Sequence, residues 1–387
     1  MLQQQLFHFV TDLLPTWRKT RRKVLALGVQ GLVRKRRMTL CALARGMDSQ
    51  CRVIHRVKRL WRFVNNPAVA PSDAVGALTA RAFSLRSTGW VPIILDETSL
   101  KGRATLLGAA TAYRGRALPL ALYAYDPQVV RKSIWAIREG LSSIIREALA
   151  PEAHSRLLLI ADRGFAASHF PGRAGFRRLI NSNVAFVIRV PRKVLLHMAY
   201  GAQCLETLAA DLNRGDCIFL RAVEYGPARA RLNVLLWWQE GQQEPWLLAT
   251  TLNSERLTRQ YYRLRMRVEE MFKDFKSSFC LEACQLQSLA RIARVCLFLL
   301  LALWALALLV RYPNCWPRFI TARGKLSFVS PPEAGKPRPG VARRTTCLTT
   351  RTPGRTQKWV TVRALCGAQD VLRAPEASPA RSMFGAR

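Results

Sequence analysis

Apolar positions follow different periods in successive parts of this chain. Over residues 1 to about 88 they recur in short helical patches set among cations. Arg18 to Arg37 packs basic side chains around Val24, Leu25, Leu27, Leu32 and Val33. Thr39 can cap a short helix running through Ala44 and broken at Gly46, and a second helix is expected from about Ser49 to Val64. Val53, Val57, Leu60 and Val64 would form its apolar face, flanked by Arg52, Arg56, Arg59 and Arg62. From Gly89 the texture becomes that of strands. Val91 to Leu95 is an unbroken apolar run that ends at Asp96, and ATLLGAATAYRGRALPLALYAY reads as two strands turning at Arg114-Gly115. Ser133 can cap a helix whose Ile134, Ile137, Leu141, Ile144, Ile145 and Leu149 repeat at helical spacing. RLLLIADRGF is another buried strand, closing on Asp162.

The stretch after Asp162 is mostly β: Asn183 to Val194, CIFLRAVEYG, ARLNVLLWW and EPWLLATTL. A helix is then expected over Tyr262 to Lys276, YRLRMRVEEMFKDFK. Its Leu264, Val268, Met271 and Phe275, continued by Phe279, make a stripe for burial, and Tyr262, Arg265, Glu269, Lys273 and Lys276 fall opposite within about 80°. Val295 to Val310 is apolar all round. It is shorter than the ~20 residues that span a bilayer, so a buried core helix is the better reading and a membrane anchor the competitor. After about Tyr312, Pro, Arg, Thr, Gly and Ser dominate and no period persists.

Charge changes the picture most. In 387 residues, 61 Lys and Arg face 24 Asp and Glu, a formal net charge of +37. An excess of that size calls for a polyanion, with nucleic acid ahead of an acidic membrane surface. The ten cysteines include no CxxC pair and histidines number five, which argues against a zinc site and for free thiols in a reducing cytoplasm. The N-terminal apolar run carries polar and acidic residues and is followed by basic ones, the wrong order for a secretory signal.

The candidate chemistry is carboxylate and cation. Glu269 sits on one helix face among an aromatic and several cations, which suits a metal ion with phosphates on either side. An ordinary i,i+4 surface pair with Lys273 is the alternative. Asp96 and Asp162 each follow an apolar β-run, where a carboxylate also serves as a turn or helix cap. The basic helix pair near the N-terminus suggests DNA binding of helix-turn-helix type, or else a plain helical bundle with a basic surface.

The spacing Tyr-x2-Arg-x3-Glu-x6-Lys, met at Tyr262, Arg265, Glu269 and Lys276, resembles the YREK signature of bacterial insertion-sequence transposases of the cut-and-paste, DDE kind. The DETS run at Asp96 and ADRGF at Asp162 are similar to that family's two aspartate motifs. RLWRFVNNPAVAPSDAV (Arg59 to Val75) is loosely similar to its N-terminal region, and EPWLLATTL to a run in its β-subdomain. The resemblance covers roughly residues 50 to 310.

It implies an α/β fold with a ribonuclease-H-like catalytic core over 89–310, a β insertion at about 191–250, and a helical DNA-binding domain over 1–88. Residues 311–387 would be a basic, disordered tail. It further implies that Asp96, Asp162 and Glu269 are catalytic and hold two Mg²⁺ or Mn²⁺ ions. Tyr262, Arg265 and Lys276 would hold phosphates, as would Lys273, by helix geometry and a looser match. Trp246 would stack on a base displaced from the duplex, against the plainer reading of a packed strand aromatic like Trp237 and Trp238. Arg189, Arg192, Lys193, Arg52, Arg56 and Arg59 complete the expected DNA contacts.

The implied partners are the element's terminal inverted repeats, target DNA and a second subunit on the paired ends, with no membrane partner. The setting is the bacterial cytoplasm, on the nucleoid. Family members usually end in helices that help two subunits assemble, and this tail does not resemble them. A catalytically inactive DNA-binding remnant with a non-native tail is therefore the second reading, and a basic membrane-anchored protein the third.

Overall fold

The computed structural model describes residues 2–86, 88–129, 154–165 and 175–311. The helix expected from Ser133 and the tail beyond 311 lie outside them. Five helices come first: α1 (Leu2–Leu13), α2 (Lys19–Lys35), α3 (Leu40–Gly46), α4 (Val53–Asn65) and α5 (Asp73–Ser84). Strands β1 (Val91–Leu100), β2 (Ala104–Tyr113), β3 (Arg116–Tyr125) and β4 (Leu157–Ala161) follow, then α6 (Gly175–Asn181) and β5 (Ala185–Arg189). Next come β6 (Leu195–Met198), β7 (Gly201–Cys204), α7 (Leu205–Ala210), β8 (Cys217–Tyr225), β9 (Ala230–Trp237) and β10 (Trp246–Thr250). Three helices close the described chain: α8 (Glu255–Arg263), α9 (Met266–Lys276) and α10 (Leu289–Arg311).

The fold is mixed α/β around one ten-stranded sheet, ordered β3-β2-β1-β4-β5-β10-β9-β8-β6-β7. β1, β4 and β5 run parallel to their neighbours in that trio, and β2, β3 and β10 join antiparallel. The strands expected between Asp162 and Glu269 thus extend the same sheet through the β5–β10 pairing. β2 and β3 turn at Arg114 and Gly115, both with positive φ (45° and 78°), the geometry of a tight two-residue hairpin.

Several expected boundaries move. Thr39 caps α3 by accepting from the Ala42 N–H at 3.2 Å, but α4 starts at Val53, not near Ser49. Val53 is exposed, and the buried side of α4 is Leu60, Phe63 and Val64. The single helix expected over Tyr262 to Lys276 is two helices. Between α8 and α9 the backbone tightens to i→i+3 bonds, Leu264 to Tyr261 and Arg265 to Tyr262, each 3.0 Å. Of the expected core stripe, Val268, Met271, Phe275 and Phe279 are buried and Leu264, at the break, is partly buried.

α10 is the one helix among the described residues long and apolar enough to cross a membrane, and most of it lies inside the protein. It packs on β3, α2 and α4. The fully buried Trp304 donates its indole N–H to the Pro119 carbonyl at 2.7 Å, and Phe298 meets Phe63 with ring centroids 5.4 Å apart. The N-terminal helices are therefore fastened to the helix that backs the sheet.

Candidate active site

Strand register sets the first two carboxylates side by side. β1 and β4 are parallel with Leu95 opposite Ala161, so Asp96 and Asp162 occupy the next positions on adjacent strands. Asp162 follows β4, as expected. Asp96 does not end its strand: β1 continues to Leu100, and Asp96 pairs with Gly108 of β2. Cross-strand partners share a face of the sheet, and a Cβ on Gly108 would lie 2.8 Å from the Phe272 ring of α9. The missing side chain at Gly108 lets α9 close over the face that carries Asp96.

α9 brings Glu269. Asp96, Asp162 and Glu269 line one open cleft with Glu97, Thr98, Arg265, Phe272, Lys273, Lys276 and Ser277. Arg265, at the junction of α8 and α9, ties the acids together. Its Nη1 donates to Asp96 Oδ2 at 2.9 Å and its Nη2 to Glu269 Oε1 at 2.5 Å. Tyr262, buried, donates its hydroxyl to Asp162 Oδ1 at 3.2 Å, and Arg189 lies 3.8 Å from the same oxygen. Each expected carboxylate thus has a partner from the expected signature. Lys273 and Lys276 flank the cleft and form no ion pair among the described residues.

The electrostatics follow from this crowding. Burial pushes the Asp96 carboxyl up to about 6. Arg265 and the Glu97 N–H pull it down, and the Asp162 and Glu269 charges push it up again. Burial likewise raises the Tyr262 phenol, reinforced by Asp162. Burial opposes the charge of Arg265, yet Tyr262, Asp162, Asp96 and Glu269 outweigh it and hold its guanidinium protonated.

Three carboxylates offer the hard oxygen donors that Mg²⁺ and Mn²⁺ prefer. As they stand, no three His, Cys, Asp or Glu side chains among the described residues are close enough together to hold a metal ion. The Arg265 guanidinium, bonded to both Asp96 and Glu269, supplies the positive charge between them. A divalent ion between Asp96 and Glu269 would have to displace the guanidinium that now bonds to both.

Other expected site residues are placed differently. Trp246 is buried, with Trp237 and Tyr262 in edge contact at centroid distances of 5.2 and 4.9 Å. In this arrangement it packs against Tyr262 and Trp237, as the plainer reading of a packed strand aromatic expects. Arg56 is turned inward and donates to the carbonyls of Cys51, Ala44, Met47 and Ser49, closing the turn between α3 and α4. That leaves its guanidinium committed to the fold. Arg52, just before α4, and Arg59 on it are exposed, as is Lys193 after β5.

Arg189 and Arg192 are occupied by a residue that the sequence did not single out. Glu244, just before β10, accepts from Arg189, from Arg163 at 2.5 Å and from Arg192 at 2.9 Å. Burial pushes its carboxyl up, but Arg189, Arg163 and Arg192 together hold it below its ordinary value. No local pattern marks Glu244, because its partners lie 52 to 81 positions away along the chain.

Residues 139–305 match the family model for the transposase DDE domain, under half of the 387-residue chain. The match takes in Asp162, Trp246, Glu269 and the whole of α8 and α9, and leaves Asp96 and α1 to α5 outside it. It supports a DDE transposase, a class of enzyme that acts on DNA and normally uses divalent metal ions. No curated protein matches the chain.

Proposed function

We propose that this protein is a cut-and-paste transposase that binds the ends of an insertion element, cleaves them and joins them to target DNA. The observation that carries the reading is the convergence of Asp96 from a strand, Asp162 from just after one and Glu269 from a helix on one cleft bordered by Lys273 and Lys276. The order β3-β2-β1-β4-β5, with three antiparallel strands followed by two parallel ones, supports a ribonuclease-H-like core. Tyr262, Arg265, Glu269 and Lys276 in their signature spacing support the YREK family.

Asp96, Asp162 and Glu269 would hold the divalent ions, which when bound activate the attacking oxygen and steady the leaving one. Hydrolysis adds water across a phosphodiester at the element end and frees a 3′-hydroxyl. That hydroxyl then displaces a 3′-oxygen from phosphorus in the target strand, so one phosphodiester is made for each one broken. Lys273 and Lys276 fit phosphates on either side of the reacting one. Arg265 sets the orientation of Asp96 and Glu269, and the Tyr262 hydroxyl sets that of Asp162. The exposed Arg52, at the start of α4, and Arg59 on it, with Lys193, are proposed as further duplex contacts. A homodimer on paired ends and a cytoplasmic, nucleoid setting complete the reading, with no membrane partner.

The test is a cleavage assay on the DNA that flanks the element, with Mg²⁺ or Mn²⁺, comparing the protein with Glu269→Gln. Cuts at the element boundary that vanish in the variant while end binding persists are the expected outcome. Binding without cuts by the unaltered protein would favour the inactive remnant, and absence of both would overturn the proposal.

A further inference from the structure

Beside the carboxylate cleft lies a second charged constellation. Arg163 follows Asp162, Arg189 ends β5, and Arg192 lies three residues on, yet all three point at one carboxylate, that of Glu244. Several guanidinium forks converging on the oxygens of one anion is how proteins hold phosphate as well as carboxylate. The cluster is open enough to admit one: the side chains of Arg163, Arg192 and Glu244 are 42%, 41% and 35% exposed. It also adjoins the catalytic acids, since Arg189 touches Glu244 on one side and lies 3.8 Å from Asp162 on the other.

We propose that Arg163, Arg189 and Arg192 form a DNA phosphate site next to the scissile position, closed in the free protein by Glu244 acting as an internal phosphate mimic. The inference rests on the DNA-acting reading above and adds to it a self-occupied subsite. In a chain with a formal charge of +37, a carboxylate surrounded by three arginines is a selective brake on non-specific DNA binding. A backbone phosphate that enters displaces Glu244, takes over its donors and leaves Arg189 shared between that phosphate and Asp162. Engagement of DNA is thereby coupled to the surroundings of a catalytic carboxylate.

The experiment measures binding of a short duplex to Glu244→Gln, Glu240→Gln, Arg192→Ala and the unaltered protein across a salt series. Glu240 is exposed and outside the cluster, so Glu240→Gln controls for general loss of negative charge. Glu244→Gln should bind about two- to fivefold tighter, the worth of a partly exposed ion pair, and its salt slope should steepen by up to about 0.9. Glu240→Gln should match the unaltered protein, and Arg192→Ala should bind more weakly. Unchanged or weaker binding by a folded Glu244→Gln, or equal tightening by Glu240→Gln, overturns the inference and leaves the transposase reading untouched. If Glu244→Gln fails to fold, unchanged binding by Arg192→Ala overturns it instead. If the unaltered protein binds no DNA, the transposase reading fails, and inorganic pyrophosphate decides the subsite. A melting shift larger in Glu244→Gln than in the unaltered protein supports an anion site, and equal shifts remove it.

Discussion

Arg265 and Asp96, 169 positions apart in the chain, are joined by a hydrogen bond of 2.9 Å, and the same guanidinium holds Glu269. The pairing ties the strand carboxylate and the helix carboxylate to one guanidinium. Both side chains of the first bond are largely removed from solvent, at 11% and 15% exposure. Screening there is weak, and losing one partner leaves a charge stranded.

Arg265→Ala should therefore destabilise the metal-free protein by about 3 kcal/mol or more. Arg265→Lys should recover only part of this, because a single ammonium cannot span two carboxylates as a guanidinium does. Urea denaturation in the presence of a chelator measures both. Equal stability of the three proteins would mean that the bridge holds nothing together.

The raised Asp96 carboxyl predicts a pH dependence. Its ordinary value is 3.8 and its folded value about 6. Between the two, the folded state keeps a proton that the unfolded state has lost, so stability falls as pH rises across that window. The loss amounts to at most about 3 kcal/mol. Asp96→Asn should remove that part of the slope. Denaturation midpoints of the chelated protein from about pH 4 to about pH 7 would show it.

Gly108→Ala would put a methyl group 2.8 Å from the Phe272 ring. Because that ring belongs to the helix that carries Glu269, the strain should displace the helix, at a cost of about 1–3 kcal/mol. DNA cleavage should fall more than DNA binding. A variant that cleaves at the normal rate would show that α9 can shift without consequence.

Trp246→Ala should act through packing, costing about 3–5 kcal/mol and loosening Tyr262 against Asp162. Trp246→Phe should retain most of the stability. If Trp246→Phe folds normally yet loses cleavage at the element end while still nicking a substrate with an unpaired base there, the base-stacking expectation regains its place over the packing one.

Arg114 holds the first position of the hairpin turn at φ 45°, a conformation that costs a non-glycine residue energy and that asparagine tolerates better. Arg114→Asn should stabilise the protein by about 0.5–1 kcal/mol, visible as a higher urea midpoint with unchanged slope.

Much of the site could be read along the chain because its signals are local. The apolar runs before Asp96 and Asp162 place one on a strand and the other just past one, and the spacing of Tyr262, Arg265, Glu269 and Lys276 puts them on one side of a helical stretch. The core stripe from Val268 to Phe279 was equally legible, since helical periodicity and burial are the same fact seen from two sides. The break at Leu264 and Arg265 was not, because nothing in their residue types opposes a continuous helix. It matters, for it lets Tyr262 turn inward to Asp162 while Arg265 spans Asp96 and Glu269.

The short-range pattern of the chain was thus enough for the apolar strands before Asp96 and Asp162 and for the buried stripe of α9, while the grouping of three carboxylates with a cationic border was expected from the family resemblance. Pairings across long separations belonged to the tertiary structure alone. Arg56 reads as a surface cation until four carbonyls in the turn between α3 and α4 claim its guanidinium, and Trp246 reads as either a stacking or a packed aromatic until Trp237 and Tyr262 meet it. Glu244 has no mark at all until β5 and β10 pair and bring three arginines around it. Periodicity reports which face of an element is buried, and the partner of a polar group is decided by which elements meet.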